Sequence, residues 1–411
     1  MSIRKRAWET EKGEAREAWV VDYSAFDPKT KKQVRRLKTF NTKREAQRWW
    51  EENAQGVRAK THVPDSESIT VQAMAERWIE AVTQGRGERG PAEASTLRQY
   101  NYHADTYIIP RLGQVKLCDL TKADIVDFKT HLLEEISRPL ARKVLVSLKG
   151  LLNEAVAQNK VAVNVAAGVS IGIDKRSQSK VIIPTVAKVR VLLAKLDELA
   201  GQDNKQHAKA WRRYRAFIAT ATHTGMRASE LRGLPWTAVD FDNGKIHVRQ
   251  RADENGTVAE VTKSEAGYRS VPVPASLIQT LREWKLEAGG HALVFATSTG
   301  EPLSLANIYN RAWKPVQLAA GLTAVVKDDK GKPKRDDEGK PIVEPLYNFH
   351  LLRHFHASML IADGANPKEV QAEMGHSSIQ ITYDLYGHLF TDEESDKRRK
   401  ERSERLAGLL G

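Results

Sequence analysis

One cysteine, Cys118, stands in 411 residues, so no internal disulfide can form and a reducing cytosol is the simplest setting. Long apolar runs are missing: no stretch approaches the ~18 consecutive residues that a spanning helix needs. The opening MSIRKRAWETEKGEAREAW is basic without the apolar centre of a secretory signal, so export by that route is not expected. No internal repeat and no low-complexity tract stands out. Acidic residues are the minority charge, 52 against 65 Lys and Arg, leaving a formal +13. What remains is ordinary globular material, 41% hydrophobic and 28% charged, which excludes wholesale disorder. At ~150 residues per domain the length suggests two or three domains. The positive balance suits a polyanion such as nucleic acid.

That charge is concentrated. Residues 1–60 hold 16 Lys and Arg against 9 Asp and Glu, more than half of the net total. The segment still reads as a folded unit. Ala18–Ala25 is rich in β-branched and aromatic residues, a polar turn follows, and Val34–Phe40 can return as a hairpin. Thr42 and Glu45 make a capping box for a helix that carries Trp49 and Trp50, with Gly56 as its expected stop. A sheet of about three strands under one helix would hide Trp19, Val21, Trp49 and Trp50. Lys31, Lys32, Arg35, Arg36 and Lys38 would lie on or beside the hairpin, where a two-stranded ribbon can enter a DNA groove. The same residues also suit a solvated edge strand defended by lysines.

A polar linker, His62–Ser68, precedes an all-α block over 69–173. Val71, Met74, Ala75, Trp78, Ile79 and Val82 form an i, i+3, i+4 stripe. Further helices are predicted from Ser95 to Ile109, stopped by Pro110, after a Thr121–Asp124 cap, and from Pro139 to Lys160. Asp174–Pro184 is a second basic linker. From residue 184 the pattern is mixed: a helix from Trp211 to Thr224, strands over Lys245–Arg251, Val258–Lys263 and Tyr268–Val273, an exposed β-hairpin or disordered insertion over 326–344, and helices from His350 to Tyr386. The expected fold class is therefore multidomain α+β. It comprises a small sheet-plus-helix domain (1–62), an all-α domain (69–173) and a mainly helical domain with a small antiparallel sheet (184–411).

Within the last block Arg227, Lys263, His350, Arg353, His376 and Tyr386 fall at helix ends, hairpin tips or just past caps, where side chains converge on sites. His350 and Arg353 are one turn apart and can reach one phosphate. Two guanidiniums, an amine and two imidazoles make a cationic cradle, and Tyr386 can supply a nucleophile. This set suits phosphoryl transfer without a metal or other cofactor, with an imidazole to take a phenol proton whose ordinary pKa is about 10. Tyr383, three residues before Tyr386, competes for the nucleophile's place. His350 and His354 have the i, i+4 spacing of a helical zinc pair, but Leu351 stands where a metalloprotease helix has its glutamate, and Arg353 would repel a cation.

At these residues the chain resembles the tyrosine recombinases of the phage integrase family: HTGMRASELRGLPW (223–236), TKSEAGYRSVPV (262–273), HLLRH (350–354) and MGHSSIQITYDLYGHL (374–389) look like its catalytic boxes. Residues 107–128 resemble its SAM-like core-binding domain, and residues 1–60 the arm-type DNA-binding domain of three-domain integrases. The resemblance implies that Tyr386 attacks the scissile phosphate, forming a 3′-phosphotyrosyl link. Arg227 and Arg353 would hold the non-bridging oxygens, Lys263 would protonate the leaving 5′-oxygen, His350 would act as base and His376 would donate to the phosphate. Glu230 and His354 would support them. The family's Tyr-Gly-His pattern favours Tyr386 over Tyr383. The bond energy is conserved in the link, so neither ATP nor metal is needed.

The implied partners are double-stranded DNA at core and arm attachment sites, a homotetramer in synapsis, an excisionase-type factor and a host DNA-bending protein, without a membrane. The implied setting is cytoplasmic, on nucleoid DNA, in a phage or integrative element. The C-terminal segment with Leu406, Leu409 and Leu410 is expected to pack on a neighbouring subunit. Two other readings share the fold: a catalytically silent DNA-binding protein, and a type IB topoisomerase-like relaxing enzyme.

Overall fold

A computed structural model describes the chain apart from residues 10–14, 28–31, 59–66, 87–89, 173–181, 260–266, 329–330, 390–402, 406 and 409–411. It is helix-rich with small antiparallel sheets and divides into two compact units, Met1–Gln178 and Ser179–Gly411.

The first unit begins with an antiparallel sheet of β1 (Ser2–Glu9), β2 (Ala15–Asp27) and β3 (Lys32–Phe40), in that order. The period of two in β2 sends Val21, Tyr23 and Ala25 to one face. There they meet Ala46, Trp49 and Trp50 of α1 (Lys43–Arg58). Thr42 and Glu45 exchange backbone bonds as the expected capping box. The helix passes Gly56, where a stop was expected. A glycine inside a helix costs only ~1 kcal/mol, and Val57, packed on the same apolar cluster, helps to offset it. β1 was not among the strands read from the sequence.

The helical part of this unit has its own core. α2 (Val71–Gln84), capped by Thr70, buries Val71, Met74, Ala75, Trp78 and Val82. α3 (Ala94–His103) runs through a π turn at Ala104–Ile108 into α4 (Ile109–Leu112), so the chain keeps coiling past Pro110. The expected stop fails because the wide turn leaves the proline, which has no N–H to give, at the start of a new short helix. α5 (Lys122–Glu135), with its Thr121–Asp124 capping box, and α6 (Arg138–Ala157) complete the block. Gly150 of α6 lets Trp78 lie close: a Cβ there would stand 3.3 Å from the indole.

In the second unit α7 (Val186–Ala200) and α8 (Lys205–Thr224) lead to the short α9 (Ala228–Arg232). β4 (Val239–Asp240), β5 (Lys245–Val248) and β8 (Arg269–Pro272) form one sheet, and β6 (Arg251–Ala252) with β7 (Val258–Ala259) another. The strand expected over Lys245–Arg251 is thus broken after Val248: its first half pairs with β8, its end with β7. The strand expected over Val258–Lys263 is described only as far as Ala259.

α10 (Ala275–Glu287), α11 (Leu305–Ile308) and α12 (Lys314–Ala319) are followed by the pair β9 (Thr323–Val325) and β10 (Val343–Pro345). Between those strands, 328–333 and 336–341 read Asp-Asp-Lys-Gly-Lys-Pro and Asp-Asp-Glu-Gly-Lys-Pro, a short repeat in sequence that was not expected. α13 (Leu351–Ala362), α14 (Pro367–Met374) and α15 (Ile379–Tyr386) follow. α8 lies in the core: its Phe217 is in ring contact with Phe295 and Phe349, at 5.0 and 5.5 Å between centroids.

Candidate active site

The site forms where α8 stops. Gly225 takes a left-handed φ of +59°, and a Cβ on it would meet His356 at 2.8 Å, so only glycine ends the helix here and turns Arg227 inward. Arg227 then caps α9. Glu230, one turn on, accepts from the Arg227 backbone N–H and guanidinium, both at 2.8 Å. A second left-handed glycine, Gly375 (φ +63°), ends α14. Three arginines donate to the consecutive carbonyls of that helix end: Arg269 to Glu373 (2.7 Å), Arg353 to Met374 and Arg227 to Gly375 (3.1 Å). The unpaired carbonyls of a helix C-terminus carry partial negative charge, which is why cations gather there.

Glu230 is 2% exposed and Arg269 clasps it with two bonds, at 2.9 and 3.3 Å. Burial pushes its carboxyl up, but the Arg269 charge and hydrogen bond, with Arg227, hold it down to about 2. Arg353, 4% exposed, also donates to the Gly225 carbonyl at 2.7 Å. It lies low for an arginine, at about 9, because of burial and then the neighbouring Arg227.

Tyr386 is 1% exposed. Burial raises its phenol to about 12 against the pull of Arg353, so at neutral pH it keeps its proton. The phenol oxygen lies 2.7 Å from His354 Nδ1, within hydrogen-bond distance. His350, expected as the tyrosine's base, stands one turn away, edge-on to His354 with centroids 5.1 Å apart. It reaches solvent on one side, yet desolvation by its neighbours, then the charges of His354 and Arg353, lower its pKa. His354 is lowered by burial and by Arg353. His376 lies nearly parallel to the Tyr386 ring (14°, 6.3 Å), and its Nδ1 is 2.9 Å from Thr382 Oγ1. Burial, and then Arg353 and Arg227, bring it to about 4. Tyr383 is 48% exposed, so Tyr386 is the tyrosine inside the cluster.

Arg227, Glu230, His350, Arg353, His354, His376 and Tyr386 therefore come together. Lys263 lies outside the described residues, as do Lys31 and Leu406, Leu409 and Leu410. Arg269 was missed: an arginine in a strand has no spacing signature, and only its position two residues after Gly267 in the quoted box hinted at it.

The basic residues expected on the hairpin do not form one surface. By register Arg36 lies opposite Tyr23 and Lys38 opposite Val21, on the face that α1 covers. Arg36 pairs with Glu67, and Lys38 sits 4.9 Å over the Trp49 ring. Lys32, opposite Asp27, shares that parity and is exposed. Arg35 is on the open face, sharing Asp22 with Arg4. Arg4, Arg6 and Arg35 line a concave surface there, and Arg4 and Arg6 were not expected.

Framework and site define a DNA strand-transfer enzyme of the tyrosine type. Residues 191–393 match the phage integrase family model, which places that segment among the tyrosine recombinases. The chain is a tyrosine-type site-specific recombinase. A XerC-like tyrosine recombinase from Caldanaerobacter subterraneus subsp. tengcongensis is 27% identical over 384 residues, covering 86% of this chain and 88% of its own. The Tn1549 transposon integrase, solved with transposon right-end DNA, is 21% identical and superposes with a TM-score of 0.61, covering 82% of this chain and 100% of that one. Lambda integrase, solved as a tetramer on a Holliday junction, is 18% identical with a TM-score of 0.53, covering 90% of this chain and 95% of its own. No described helix is long and apolar enough to cross a membrane.

Proposed function

We propose that this chain cuts and rejoins attachment-site DNA through a 3′-phosphotyrosyl intermediate formed by Tyr386, as an integrase of a phage or integrative element. The single observation that carries the reading is the Tyr386 phenol held on His354 beside Arg353 and the Arg227–Glu230–Arg269 cluster.

On binding DNA, Arg227 and Arg353 hold the non-bridging oxygens of the scissile phosphate, exchanging carbonyl partners for phosphate, and His376 donates a hydrogen bond to it. The phosphate's charge offsets the arginines that depress the imidazoles, so His354, backed by His350, becomes a better base as the substrate arrives. The phenol proton passes to His354 while the tyrosine oxygen bonds to phosphorus and the 5′-oxygen leaves. Lys263 protonates that oxygen. A 5′-hydroxyl from the partner strand reverses the steps. Glu230 keeps Arg227 and Arg269 fixed.

The all-α domain (69–173) grips core sites as a SAM-like core-binding domain, and the N-terminal domain (1–62) holds arm sites with Arg4, Arg6 and Arg35 as well as Lys32. Synapsis is tetrameric, as in the lambda integrase assembly, with direction set by an excisionase-type factor and a host bending protein. A nicked attachment-site oligonucleotide tests the chemistry: a covalent adduct is expected, and peptide mapping should find it on Tyr386. An adduct on Tyr383, or none, would overturn it.

A further inference from the structure

We propose that Thr382 is a positioning residue that sets the tautomer of His376, its hydroxyl donating to Nδ1 so that the ring proton sits on Nε2 and faces the phosphate. The inference deepens the proposed function and rests on His376 acting as a donor there. Thr382 is fully buried, and its Oγ1 lies 2.9 Å from His376 Nδ1. Threonines inside helices commonly turn their hydroxyl to the carbonyl one turn back, as Thr220, Thr222 and Thr224 do in α8. In Thr382 the hydroxyl is turned to the imidazole instead.

A neutral imidazole has one N–H, and the partner of the other nitrogen decides which one. A hydroxyl can give or take, so the surroundings matter. Burial, and then the positive charges of Arg353, Arg227 and Arg269, disfavour the imidazolium, which would otherwise donate from both nitrogens. Donation to phosphate then requires the Nε2–H form, and that form requires Nδ1 to accept. Thr382 is the group placed to donate.

The residue also lies one turn before Tyr386 on α15. A helix that carries the nucleophile to the phosphate therefore carries the orienting hydroxyl with it. His376 becomes a donor of fixed geometry only while the tyrosine helix is seated, which couples the phosphate's hydrogen bond to the arrival of its attacker.

Thr382→Val keeps the shape and removes the hydroxyl; Thr382→Ser keeps the hydroxyl. Histidine-labelled full-length protein, with His376 assigned through His376→Gln, should show the Nε2–H tautomer by two-bond nitrogen–proton correlation, and Thr382→Val should move it toward Nδ1–H. On a suicide attachment-site substrate Thr382→Val should slow covalent-complex formation by up to about 100-fold, the order expected for one misplaced transition-state donor. DNA affinity should stay unchanged and Thr382→Ser near wild type. In a His376→Gln background Thr382→Val should slow cleavage no further. An Nδ1–H ring in the wild type, or an equal loss in both backgrounds, overturns the assignment. His376→Gln cleaving at the wild-type rate sinks instead the donor role on which it rests, while the tautomer spectra still judge Thr382.

Discussion

On the N-terminal sheet, Arg4 and Arg35 share Asp22 with 56% and 67% of their side chains in solvent, whereas Arg353 beside Tyr386 is 4% exposed and fastened to two carbonyls. The guanidinium is the same, and the work differs. An exposed guanidinium keeps its rotamers and meets a phosphate through a screened field, so it contributes mainly salt-dependent affinity. A buried one has already given up its freedom and its water, so its charge acts at nearly full strength where negative charge develops. A salt-dependent grip on a polyanion asks for the first kind of arginine and chemistry for the second.

The sharpest break of this contrast is Tyr386→Phe, which should bind attachment-site DNA normally and form no covalent complex on denaturing gels. Next, Arg227→Ala should slow cleavage by about 100- to 1000-fold with little loss of affinity. Equal losses in binding and cleavage would place it with the surface arginines. Acid comes third. His376 is held near 4 in the folded state against an ordinary 6.5. Between those values the unfolded chain binds the extra proton, so stability is full above about 6.5 and falls as pH drops toward 4. Thermal melting of the protein across that window should decline; a flat profile would mean the ring is not buried neutral. Smallest is Arg35→Ala, expected to reduce the salt slope of arm-site binding by about one without changing cleavage of a core-only substrate.

Much of the candidate cluster was legible because helix punctuation is local. The helix end at Thr224, the one-turn spacing of Arg227 and Glu230, and the spacing of His350, Arg353 and His354 place side chains without reference to the rest of the chain. Arg269 and Thr382 were not legible, since their value comes from partners 39 and 6 residues away that only tertiary packing brings within reach. Which face Arg35 and Lys38 occupy depended on register: β2 pairs with both of its neighbours, and a slip of one residue would exchange them. The preference for His350 over His354 at the phenol was a matter of one helical turn, too fine for spacing alone to decide.

The seat of Tyr386 has a consequence for the cell that carries this gene. A phenol stowed inside the protein and still holding its proton is out of reach of a passing duplex. Under the proposed chemistry, DNA would have to open that seat before Tyr386 could attack, so placement alone would act as a safeguard.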